Sequence, residues 1–137
     1  MFQRVMDWLA DAPDAQDLGF GDHDIQVCVA ALFYHMVAID GVVTEQERDD
    51  LEQILSKRFH LDETQIATLA MEGEQSDRDS AGLFPFTVIL NRQMDRQERQ
   101  LVFDQLQQLA MADGEMHELE QSMLNHVAVL LKLSPTS

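Results

Sequence analysis

The chain has 137 residues, 45% of them hydrophobic, which is one domain's length with enough apolar side chains for a core. Its 25 Asp and Glu against 9 Lys and Arg give a formal charge of -16, which works against nucleic acid and anionic lipid surfaces and favours solubility, cations or basic protein surfaces. The single cysteine, Cys28, excludes an intramolecular disulfide and a cysteine-held zinc or iron–sulfur centre, and its apolar surroundings predict a buried, inert thiol.

Residues 2–10 place Phe2, Val5, Met6 and Leu9 on one helical face with Trp8 beside it, and Pro13 stops the helix. This stripe is expected to dock on the rest of the protein; membrane or partner contact is the alternative, and one Arg is too little basic charge to strengthen lipid attachment. Residues 11–23, with Asp, Pro, Gly and Ala, read as a linker, so the chain divides into an N-terminal segment, 1–22, and a helical domain, 23–137. The start lacks a signal-peptide pattern. The longest apolar run, Val27–Phe33, is far short of the ~20 residues of a membrane span, so the expected location is cytoplasmic.

From Asp24 to Ile39 the sequence is apolar almost all round, which predicts a buried central helix ended by Asp40-Gly41. Thr44 opens the next helix, with Leu51, Ile54 and Leu55 inward. Asp62 opens a fourth, carrying Ile66 and Leu69, and the polar stretch from Gly73 to Gly82 reads as a loop. Leu83 to Leu90 is apolar, with Pro85 suited to a first helical turn. Asp95 opens a long helix with Leu101, Val102, Leu106 and Leu109 inward, ending at Asp113-Gly114. The last helix runs from about His117 to Leu131, with Leu119, Met123, Leu124, Val127 and Leu130 inward. Alternating strand patterns are missing, so the fold class is all-α: a compact bundle of about seven helices.

One element occurs twice. D-G-V-V-T-E-Q-E begins at Asp40 and D-G-E-M-H-E-L-E at Asp113, each between a long apolar helix and an amphipathic one, which suggests a pseudo-twofold pair of helix–turn–helix junctions. The D-G-x5-E spacing matches the second half of a calcium-binding EF-hand loop, with Val43 and Met116 as its hydrophobe. The first ligand positions fall on Met36 and Ala38, and on Leu109 and Met111, so the about six to eight oxygens that calcium takes are not supplied. An ordinary EF-hand is excluded.

Two readings of the junction acids remain. In the first they are structural: Thr44-Glu45-Gln46-Glu47 is a complete capping box, Gly41 supplies positive φ, and Asp40 bonds nearby backbone in the turn. The second copy fits less well, because His117 is a poor N-cap. In the second reading Asp40, Glu47, Asp113 and Glu120 hold a divalent cation. Other chemistry is poorly supplied. The histidines (His23, His35, His60, His117 and His126) form no H-x3-H or H-E-x-x-H pattern, and His35 suits a hydrogen-bonded core position. Ser122 and Thr87 belong to no triad pattern. The methionines sit mostly at apolar helix positions and read as core.

V-A-I-D-G-V-V-T-E-Q-E (Val37–Glu47), L-A-M-A-D-G-E-M-H-E-L-E (Leu109–Glu120) and F-P-F-T-V-I-L-N (Phe84–Asn91) resemble the tellurite-resistance TerB-like family over about residues 23–133. The amphipathic start resembles stand-alone bacterial members. The resemblance implies an all-α bundle with paired acidic junctions, a bacterial stress or metal-resistance context, and metal binding through the positions matched by Asp40, Glu47, Asp113 and Glu120. It also implies a module found ahead of a membrane-anchored J-domain co-chaperone, in a family for which catalysis is not established. Ile39 departs from the Ala usual before the first Asp. The expected function is a non-enzymatic binding or adaptor protein of a stress or tellurite-resistance system, with a basic or membrane-associated protein partner. The alternative is a divalent-cation sensor, with a divalent metal ion as its cofactor. A hydrolase finds no positioned nucleophile or base.

Overall fold

A helix survives in water when its ends are capped and one stripe of its surface is buried, and both conditions can be followed along this chain. The computed structural model describes residues 21–112, 114 and 116–133, and of Asp22 only the backbone. They form six helices and no strand: α1 (Asp22–Val37), α2 (Glu45–Phe59), α3 (Glu63–Asp79), α4 (Phe84–Gln93), α5 (Arg96–Ala110) and α6 (Glu118–Leu130). The helix expected over 2–10 and the linker after it lie outside the described residues, except for the linker's last three positions. Those three are Gly21, which caps α1, and Asp22 and His23, which belong to α1. No described helix is long and apolar enough to cross a membrane.

The starts follow local chemistry. Thr44, Asp62 and Asp95 are N-caps of α2, α3 and α5, each accepting from the backbone N–H three residues on, while Glu47, Gln65 and Glu98 reach back to the cap N–H. Pro85 stands in the first turn of α4, where its missing N–H costs nothing.

Helix α1 is the centre. From Val27 to Phe33 no residue exceeds 3% exposure, and Leu32 and Phe33 are at 0%, as expected of a helix without a polar face. It packs most extensively on α3 and also against α2, α4 and α5. Each fully buried Leu or Phe contributes about 2–3 kcal/mol of transfer free energy.

Three expectations are corrected. The stretch after Gly73 is not a loop, because α3 continues to Asp79. Its buried stripe is Ile66, Leu69, Ala70, Gly73 and Ser76, and small residues replace large ones where α3 crosses α1. A Cβ on Gly73 would lie 2.7 Å from the carbonyl carbon and Cβ of Ala30, so the helices approach at a distance only glycine allows. Leu101 and Leu119, expected inward, are 53% and 58% exposed. The inward stripe of α5 runs through Val102, Leu106 and Leu109, and Leu101 falls beside it. In the first turn of α6 the inward place is taken by Glu120.

Candidate functional site

Where both are described, the two junctions share one backbone. The C-cap residues Ala38 and Met111 have φ/ψ of -96/7 and -98/6, and Gly41 and Gly114 have φ of +87 and +91. The N–H of Gly41 donates to Ala38 O and that of Gly114 to Met111 O, both at 2.9 Å. Positive φ at the glycines turns the chain out of one helix and toward the N-cap of the next. Asp40 Oδ1 accepts from the Val42 N–H at 3.0 Å, closing the first turn. Asp113 lies outside the described residues.

The next helices begin alike but not identically. In the first junction Thr44 Oγ1 accepts from the Glu47 N–H at 3.1 Å, while Glu47 Oε1 accepts from the Thr44 N–H at 3.0 Å and from its hydroxyl at 3.2 Å. In the second, Glu120 Oε1 accepts from the His117 N–H at 3.0 Å. Glu47 and Glu120 therefore hold the same helical position with the same bond. Glu47 is half-buried, whereas Glu120 is 9% exposed. Carboxylates in a first helical turn also face the positive end of the helix dipole.

The bundle brings the junctions to opposite walls of one cleft of about 290 Å³. Asp40, Thr44, Glu47 and Asp50 line it from the first junction and α2, and Ala110, Ala112 and Glu120 from the second. Ile39 packs against the hydrophobic core, whereas Ala112, its counterpart before the second Asp, lines the cleft. Of the sequence-derived candidates, Asp40, Glu47 and Glu120 are thus brought together. Asp50 and Gln46 were missed, although Asp50 stands one helical turn past Glu47 on the same face and takes a 2.9 Å bond from Gln46 Nε2. Among the described residues the charged side chains that line the cleft are all acidic. Among the described residues no three His, Cys, Asp or Glu side chains group closely enough to hold a metal ion.

Elsewhere the titratable groups serve packing. His35 Nδ1 lies 2.8 Å from Asp77 Oδ1 and His23 Nε2 lies 3.1 Å from Glu72, both pairs tying α1 to α3. Cys28 is 2% exposed, and burial, reinforced by the Asp24 charge, pushes its thiol up to about 12. It is protonated and shielded at neutral pH.

Helices wrapped around a buried central α1, with a duplicated acidic junction opening on one cleft, define an all-α bundle built on an internal repeat. The chain belongs to the tellurite-resistance family of TerB: the family model described as "Tellurite resistance protein TerB" matches residues 26–137. No curated protein and no solved structure matches it.

Proposed function

We propose that this TerB-family chain is a non-enzymatic binding module of a bacterial tellurite- or stress-resistance system, in which the junction cleft receives a cationic group from a protein partner. The observation that carries this reading is the cleft itself, where Asp40, Glu47, Asp50 and Glu120 line walls from both junctions and no described lining residue is basic. A cation entering it meets three carboxylates, Asp40, Glu47 and Glu120, already fixed by backbone N–H groups, so little side-chain entropy is lost on binding.

A divalent ion is the second reading. It is favoured by the matched position of Glu47 and Glu120, each with one oxygen anchored to backbone. Calorimetry on metal-stripped protein separates the two. The partner reading expects a blocked tri-arginine peptide to bind, and binding to weaken at least tenfold in Glu47→Gln/Glu120→Gln but not in Glu63→Gln, which lies outside the cleft. Tight stoichiometric heat with calcium, manganese or zinc, lost in the same double variant, would move the function to cation sensing. Equal peptide binding by the cleft variant and Glu63→Gln would remove the cleft from either role.

A further inference from the structure

We draw no further inference here: the strongest candidate, the rim of the junction cleft where Val42, Met111 and Leu119 stand exposed next in sequence to residues that line it, belongs to the site already described, and nothing in the structure shows what covers it.

Discussion

The two junctions compare a finished device with an unfinished one. Both leave their helix through the same C-cap and the same positive-φ glycine, and both use a glutamate in the next first turn. The first completes the reciprocal box with Thr44, whose hydroxyl accepts the Glu47 N–H. The second has His117 at that place and no side-chain cap bond there, yet its glutamate is the more deeply buried. Cap chemistry explains Glu47 almost completely. It does not explain why Glu120 is buried, since a surface capping bond would serve α6 as well, and burial of a carboxylate is unfavourable unless it is bonded or used. The difference teaches that the repeat preserves backbone geometry and the acid, while the hydroxyl is dispensable.

The largest effect that sharpens this comparison comes from the glycines. Gly73→Ala should destabilise the fold by about 3 kcal/mol, because the new Cβ meets backbone of α1 that cannot move aside. Around Gly41 and Gly114 there is open space, so Ala there should cost only its left-handed conformation, about 1 kcal/mol at each. Urea denaturation checks all three. Unequal costs at Gly41 and Gly114 would break the claim that the junctions share one backbone.

Next comes truncation of the two glutamates. Glu120→Ala removes the acceptor of a part-buried N–H and should cost about 2 kcal/mol. Glu47→Ala acts at a more exposed cap and should cost about 1 kcal/mol. The reverse order would mean that burial of Glu120 carries no structural weight.

The amide replacements should be smaller still. In metal-free protein Glu47→Gln and Glu120→Gln should each change stability by less than about 0.5 kcal/mol, since Gln also serves at this capping-box position. Asp40→Asn and Asp113→Asn should follow. Unfolding of the Glu47→Gln protein without metal would contradict both the cap and the ligand account.

The smallest effect at neutral pH concerns Cys28. Its thiol is raised from 9.0 to about 12 in the fold, so folded protein keeps a proton that the unfolded chain loses. That contribution to stability is present in full below pH about 9 and is lost as pH rises toward about 12. Cys28→Ala should therefore flatten the alkaline fall in stability, and a thiol reagent should label the native protein no faster than it unfolds.

Helix starts were legible because their causes lie within a few residues. Thr44, Asp62 and Asp95 bond to an N–H three positions on, and Pro85 fits only a first turn. The central helix was legible because Val27–Phe33 offers water no polar face. The second half of α3 was not, since its buried stripe is Ala70, Gly73 and Ser76, residues whose hydrophobic signal is weak and whose use is close approach.

By itself the sequence determined the all-α class, the central helix, the caps and the repeated acidic turn, each of which follows from local bonding or from helical period. Only the tertiary structure decided that Asp40, Glu47 and Glu120 line one cleft, that Asp50 joins them, and that Leu101 and Leu119 face outward. Those outcomes depend on which helix packs against which. Residues more than sixty positions apart, such as Glu47 and Glu120, line one cleft because α5 packs against both of the helices that carry them, α2 and α6.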